Sequence, residues 1–287
     1  MRLSKRICVL CVVIVCCIVV TTLIGVVAWH GEWWYPLGQR WKQYPAPALT
    51  ETAVSGETTL WSFEELILAE GVSHSCNLLL VNASHPLPEG YEPSLVEYNG
   101  AKMHPLMRDP YVALRDDVQA ATGVRIYVAS DYRTAEEQAE LIASSESGIA
   151  APIGCSEHEA GLALDVYAPY FGGSQFLRSR AGRMVNEICE DYGYIIRYPS
   201  GKEDVTGIEY EPWHIRYVGA PHASIIMNSG ITLEEYIELL TPGVWYVSGE
   251  YLISRRASDD LHLPNGWTTC DISSDNTGYF IVTLRMG

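Results

Sequence analysis

Ser156-Glu-His-Glu-Ala-Gly-Leu-Ala-Leu-Asp165 carries more functional groups than a core segment should. Gly161 precedes an apolar strand, Leu162-Ala-Leu-Asp-Val166, that is interrupted by one carboxylate. A charged aspartate in a buried strand is costly unless it is paired or coordinates a metal. His158 lies upstream, and the glycine between lets the chain fold back so that both side chains point at one spot. On this stretch alone the plainer reading stays open: Asp165 pairs with a nearby arginine, and His158 is a surface loop residue.

Glu211-Pro-Trp-His-Ile-Arg-Tyr-Val-Gly219 shifts the balance. Pro212 argues against a helix interior, so His214, Arg216 and Val218 are expected on one face of a strand, with Trp213, Ile215 and Tyr217 on the other. Glu211 can approach the same centre from the strand's start. Two histidines, an aspartate and one unligated glutamate form the inventory of a hydrolytic zinc site: three ligands hold the ion and leave a fourth position to water. A nearby carboxylate then takes that water's proton. Cys155 is a rival ligand by its Cys-x-x-His spacing with His158, but it needs further partners that the chain does not obviously offer.

A third stretch, Ser130-Asp-Tyr-Arg-Thr134, follows an apolar strand and precedes a capped helix. A guanidinium at that rim, Arg133, suits a carboxylate or a polarised carbonyl. The alternative is a surface pair with Glu136 or Glu137.

Around these motifs the texture is mixed. Leu78-Leu-Leu-Val81 reads as a buried strand, and Asp109 to Thr122 as a helix closed by Gly123. Val124–Val128 and Tyr194–Tyr198 read as strands, and Phe176–Tyr192 as one helix. Capping boxes start helices at Ser62, Thr134 and Thr232. After Thr241-Pro-Gly, short strands form a small β appendix over 241–287, whose job the sequence does not reveal. Strands and helices do not alternate regularly, so the class is α+β.

The N-terminus is a separate matter. Ile7 to Trp29 contains no charge; as a helix it spans roughly 34 Å, enough to cross a hydrocarbon core of about 30 Å. Arg2, Lys5 and Arg6 precede it, which keeps the tail 1–6 cytoplasmic and the rest outside. A cleaved signal peptide is the rival reading. Residues 30–72 lack sustained periodicity and are expected to be an extracytoplasmic stalk. The formal net charge is -16. Without the three basic residues of the tail, 16 basic face 35 acidic residues, or -19. A surface that acidic excludes nucleic acid as a partner. Cys76, Cys155, Cys189 and Cys270 lie on the outer side, where disulfides and free thiols are both compatible with the spacing.

Together, Ser130-Asp-Tyr-Arg133, Ser156-x-His158-x-x-Gly161-x-Ala163-x-Asp165 and Glu211-x-Trp-His-x-Arg-Tyr-Val-Gly219 resemble the VanY-type D-alanyl-D-alanine carboxypeptidase family. Leu78–Asn82 and Pro86-Leu-Pro88 resemble that family's domain entrance. The resemblance covers about residues 76 to 240 and reaches neither the apolar segment nor the appendix. It implies a zinc carboxypeptidase domain over 73–240, with a central antiparallel sheet and flanking helices, the D-Ala-D-Ala metallopeptidase or hedgehog-like arrangement. It implies one Zn2+ per chain held by His158, Asp165 and His214, with Glu211 as catalytic base. Arg133, Gln138 and Ser156 are implied around the substrate's terminal residue, with Trp213 lining the pocket. Asp131 departs from the family, where glycine is common, and adds negative charge near Arg133. The expected activity is removal of the terminal D-alanine from peptidoglycan stem peptides, by a chain tied to the lipid bilayer through its N-terminal helix. Within the enzyme class the alternative is an LD-carboxypeptidase acting on tetrapeptide stems. From another class, the alternative is a non-catalytic wall-binding or sensor protein.

Overall fold

A computed structural model describes residues 13–25, 35, 38, 42–54, 56–144 and 150–287. Strands β1 (Thr50–Thr52), β2 (Thr58–Leu60), β3 (Val72–Ser75), β4 (Val96–Tyr98) and β5 (Ala101–Met103) come first. The central strands are β6 (Tyr127–Ser130), β7 (Ala163–Tyr167), β8 (Tyr194–Ile196) and β9 (His214–Tyr217). The chain closes with β10 (Trp245–Ser248), β11 (Tyr251–Arg256), β12 (His262–Pro264), β13 (Trp267–Ser274) and β14 (Phe280–Met286).

The central sheet runs β6-β7-β9-β8, every pair antiparallel. Its register fixes the site: Asp165 lies opposite His214 on one side and Ser130 on the other. The helix Pro105–Thr122 closes on Gly123 in the left-handed region, as glycine there satisfies the last carbonyls without a Cβ clash. It packs Met107, Tyr111, Leu114 and Val118 into the main core with Leu164, Val166 and Ile215. The Thr134 capping box forms, Glu137 reaching back to the Thr134 amide at 2.8 Å and the Thr134 hydroxyl accepting from the Glu137 amide at 3.1 Å.

Three expectations need correction. The helix expected over Phe176–Tyr192 is broken into a 3-10 turn (Gly173–Arg178), an α-helix (Arg180–Ile188) and a second 3-10 turn (Cys189–Tyr192). Ser179 interrupts it by turning its hydroxyl onto the Gly182 amide, a cap that competes with helix continuation.

Leu78–Val81 is buried but is no strand, because side chains satisfy its backbone. The Asn77 and Leu79 carbonyls accept from the Arg216 guanidinium at 3.0 and 2.8 Å. The Leu78 amide donates to the Ser273 hydroxyl, and the Leu80 carbonyl accepts from the Asn276 amide, both at 2.9 Å. Buried backbone groups need partners, but the partners need not be strands.

The third correction concerns the stalk. Within the expected stalk, residues 50–52, 58–60 and 72 onward pair into sheets: β1 pairs with β10, β2 with β12, and β3 runs parallel to β13. With the closing strands, β1 and β3 make a six-stranded sheet ordered β1-β10-β11-β14-β13-β3. The appendix is therefore half of a domain whose other half precedes the catalytic region. Even Tyr44 is docked: Gly230 has φ +64°, and a Cβ there would sit 2.4 Å from the Tyr44 ring.

The two sheets share apolar packing, since Ile253 and Ile281 join Leu78, Leu80, Ile225, Leu233 and Ile237 in one cluster. At the same seam the buried His222 is hydrogen-bonded to the Tyr236 hydroxyl (2.6 Å) and the Thr283 hydroxyl (3.1 Å). Burial alone pushes the His222 pKa down to about 3.

Residues 13–25 are helical, and among the described residues no helix is long and apolar enough to cross a membrane. The remainder of the expected 7–29 span lies outside the described residues.

Candidate metal centre and active site

The loop before β7 turns at Gly161, whose φ is +69°. A Cβ there would meet Leu95 at 3.0 Å, so both the conformation and the close approach call for glycine. The turn sends His158 back over the sheet beside Asp165, with His158 Nε2 3.5 Å from Asp165 Oδ2. From β9, His214 presents Nδ1 at 3.0 Å from Asp165 Oδ1. The two imidazole rings stand 5.0 Å apart at 87°. Ligand atoms of these three residues all lie within 4.8 Å of one another, and among the described residues they are the group of His, Cys, Asp and Glu that could hold a metal. Cys155 is not in it, so the rival spacing is not realised. The thiols of Cys76, Cys155, Cys189 and Cys270 are all free.

The hydrogen bonding tells which atoms face the centre. His158 Nδ1 is 2.8 Å from the Asp131 carbonyl. A carbonyl only accepts, so Nδ1 carries the proton and Nε2 offers its lone pair to the centre. Asp165 Oδ1 is buried and has no hydrogen-bond partner among the described residues, despite its closeness to His214. An orphaned buried carboxylate oxygen is expensive unless a cation completes it. Burial opposes its charge, but the two histidines more than offset this and hold Asp165 well below the usual carboxylate range. On His214 burial likewise opposes charge, yet Asp165, Glu157 and Glu211 push its pKa up to about 10. The pocket is thus built for positive charge. Two neutral imidazole nitrogens and a carboxylate oxygen fit Zn2+ with a position left over.

Glu211 stands beside this set. Its backbone ties the segment after β8 to the start of β9, its amide donating to the Tyr198 carbonyl (3.0 Å) and its carbonyl accepting from the His214 amide (3.2 Å). Its carboxylate Oε2 lies 3.6 Å from His214 Nδ1. Burial first, then Asp165 and Glu209, raise its pKa, with His214 opposing. A carboxylate so placed and so raised is a better proton acceptor than an ordinary one.

Arg133 is stitched to the same loop, its amide donating to the His158 carbonyl at 3.2 Å. Its guanidinium donates to Gln138 Oε1 (2.7 Å) and Ser130 Oγ (2.9 Å), and Gln138 is itself held by the Ala151 carbonyl at 2.6 Å. Asp131 does not compete for it, because the Asp131 carboxylate accepts from the Lys102 amide. Ser156 is buried and accepts from the His158 amide at 3.3 Å. Trp213 is partly buried and packs against the main core.

Sequence reasoning missed three contributors. Tyr198 holds its ring 4.8 Å from that of His214. Together with Cys155, Asn82 and Glu209 it lines a cavity of 520 Å³. Glu157 and Arg197 form a buried ion pair behind the ligands, 2.7 Å apart. Arg197 interrupts the apolar run Tyr194–Tyr198 as Asp165 interrupts its own, so the same signal was present in both.

The fold and this constellation define a metal-dependent hydrolase of the zinc peptidase kind. The family described as VanY: D-alanyl-D-alanine carboxypeptidase matches residues 100–220. The chain is 36% identical over 189 residues to the bifunctional D-Ala-D-Ala dipeptidase and D-Ala-D-Ala carboxypeptidase VanXYC of Enterococcus gallinarum, covering 58% of this chain and 96% of that protein. It is 29% identical over 276 residues to a D-alanyl-D-alanine carboxypeptidase of Enterococcus faecium, covering 87% and 86%. Among solved structures it resembles the vancomycin resistance D,D-pentapeptidase VanY from a VanB-type cassette, crystallised with Zn(II), at 32% identity and a TM-score of 0.51, over 56% of this chain and 98% of that one. This chain belongs to the VanY family of D-alanyl-D-alanine carboxypeptidases.

Proposed function

We propose that the protein hydrolyses the last peptide bond of peptidoglycan stem peptides, releasing the terminal D-alanine, at the outer face of the membrane. The observation that carries this reading is the convergence of His158, Asp165 and His214, with the Glu211 carboxylate 3.6 Å from the nearest ligand nitrogen. Zinc, when bound, supplies an acidified water and a polarised scissile carbonyl. Glu211 takes the proton of the attacking water and returns it to the departing amine of D-alanine. Arg133, aimed by Gln138 and Ser130, receives the substrate's terminal carboxylate, and its forked geometry favours a planar anion. Ser156 holds the His158 backbone, and the cavity beside Tyr198 takes the upstream peptide. All ligands and the base are present, which favours an enzyme over a wall-binding relic.

The N-terminal segment acts in this reading as a single-pass anchor over 7–29, with the tail 1–6 cytoplasmic. Supporting it, the helical residues Val13, Val15, Ile18, Leu23 and Ile24 are each about half exposed, an apolar surface that hydrocarbon would cover. Resistance of the full chain to carbonate extraction from membranes tests the anchor; release into the soluble fraction would refute it.

The activity test is D-alanine release from a stem pentapeptide by the full chain in detergent, with and without a chelator. Chelator-sensitive release is expected, and Glu211→Gln should lower turnover by about 10²- to 10⁴-fold while zinc stays bound. Unchanged turnover in that variant sinks the assignment of the base. Release from tetrapeptides alone would replace the substrate by the L,D-linked one.

A further inference from the structure

Glu157 lies between Ser156 and His158, and its side chain is wholly buried. Its Oε1 accepts from two guanidinium groups, Arg197 Nε and Arg216 Nη1, each at 2.7 Å. Both arginine side chains are also fully buried. Arg197 makes a second, two-pronged pair with Glu234 at 2.9 and 2.6 Å. Arg216 spends its remaining donors on the carbonyls of Asn77, Leu79 and Tyr217. Two arginines and two glutamates cancel in charge, so Glu157 is a compensated carboxylate and not a spare base.

The other oxygen of Glu157 is used differently. Oε2 lies 3.5 Å from His214 Nε2. Both atoms are buried, and neither has another partner among the described residues. The opposite ring nitrogen, Nδ1, is the one that faces Asp165 and Glu211. A ring that ligates through Nδ1 keeps its proton on Nε2, and a proton there meets Glu157.

We propose that Glu157 is the positioning residue for His214: it accepts the Nε2–H, fixing the tautomer and ring plane that present Nδ1 to the metal, while Arg197 and Arg216 hold Glu157 itself in place. Such outer carboxylates orient ligating imidazoles and strengthen their binding. This rests on the metallopeptidase reading of the three ligands, but not on which peptide is cleaved.

The arrangement makes the isosteric substitution informative. Glu157 serves as acceptor on both sides, toward the arginines with Oε1 and toward His214 with Oε2. A glutamine has one acceptor only. In Glu157→Gln the amide oxygen goes to the two guanidinium groups, which leaves the NH2 facing His214 Nε2. The ring can satisfy that donor only by releasing its Nε2 proton and carrying one on Nδ1, the atom the metal needs.

The experiment measures zinc affinity by competition with a chromophoric chelator on the full chain, beside thermal unfolding. Glu157→Gln is expected to weaken zinc by roughly 10- to 100-fold. Glu234→Gln removes the same charge from the same network without touching His214, and should leave zinc affinity where it was. Equal losses in both variants would show that the network acts only as scaffolding and would overturn the proposal. So would undiminished affinity in a folded Glu157→Gln.

Should that variant fail to fold, nitrogen-15 spectra of histidine-labelled, zinc-loaded wild type decide the matter. A slowly exchanging, downfield Nε2–H on His214 supports the proposal, and a His214 ligated through Nε2 refutes it. Zinc binding without D-alanine release would count against the substrate reading and leave this test intact.

Discussion

The two sheets bury polar side chains for opposite ends. In the flanking sheet, among the described residues, no buried side-chain oxygen is left without a hydrogen-bond partner. Asp275 is fully buried, yet its carboxylate accepts from the Thr277 amide and hydroxyl (both 2.8 Å), the Tyr279 amide (3.2 Å) and Arg255 Nε (2.6 Å). Ser254 donates to the Val244 carbonyl at 2.7 Å. In the central sheet the buried Asp165 Oδ1 is left without a hydrogen-bond partner among the described residues. A satisfied buried carboxylate is architecture, because its desolvation is already offset locally. An unsatisfied one is an open valence, kept at a cost in stability for something that binds. The distinction does not depend on how charged or how buried the residue is.

Exchanging the roles experimentally should give the largest contrast. Asp165→Asn is expected to abolish chelator-sensitive activity while shifting the urea midpoint of the metal-free protein little. Asp275→Ala should do the reverse, costing about 3–5 kcal/mol of stability, as expected when one partner of a buried pair is removed, with near-normal turnover in the fraction that folds. Comparable destabilisation by the two would break the comparison.

A second test is set by pH at the seam between the sheets. Folded His222 has a pKa depressed to about 3 from its ordinary 6.5. Between those values the unfolded chain binds a proton that the folded chain refuses, so stability rises with pH. The contribution is fully present above 6.5 and is lost as pH falls toward 3. Urea midpoints of wild type should therefore fall more steeply below pH ~6.5 than those of His222→Gln, which has no proton to take up. Parallel curves would mean that this histidine is not the seam's acid-sensitive group.

The smallest effect is expected at Asp131. Its carboxylate is committed to the Lys102 amide, and its contribution to the centre is its carbonyl, which any residue supplies. Asp131→Gly should cost about 1–2 kcal/mol of stability, the scale of one exposed charge-assisted hydrogen bond plus the added backbone freedom. The KM for the stem peptide should not change, and a clear fall in KM would show that this carboxylate opposes substrate binding at Arg133.

What could be read from the residues was local or periodic. Asp165 stood out because a carboxylate broke an apolar run, Gly161 because a fold-back needs it, and His214 with Arg216 because strand alternation put them together. Capping boxes at Ser62, Thr134 and Thr232 were legible for the same reason, since each lies within four residues. Contacts made at long range were not legible. Nothing in Leu78–Val81 reveals that an arginine, a serine and an asparagine will satisfy its backbone in place of neighbouring strands. Nothing in the polar stretch near Thr50 reveals that its partner lies near Val247.

The catalytic region is threaded between the two halves of one sheet, β1 and β3 before it and β10, β11, β13 and β14 after it. The Asn77–Leu80 segment that anchors Arg216 is itself pinned by Ser273, Asp275 and Asn276. During synthesis these residues emerge long after all three metal ligands. A partly made chain therefore carries the complete ligand set with its rear support missing. Only the arrival of the segment around Ser273–Asn276 supplies that support, so a late-made sheet acts as the latch on an early-made site.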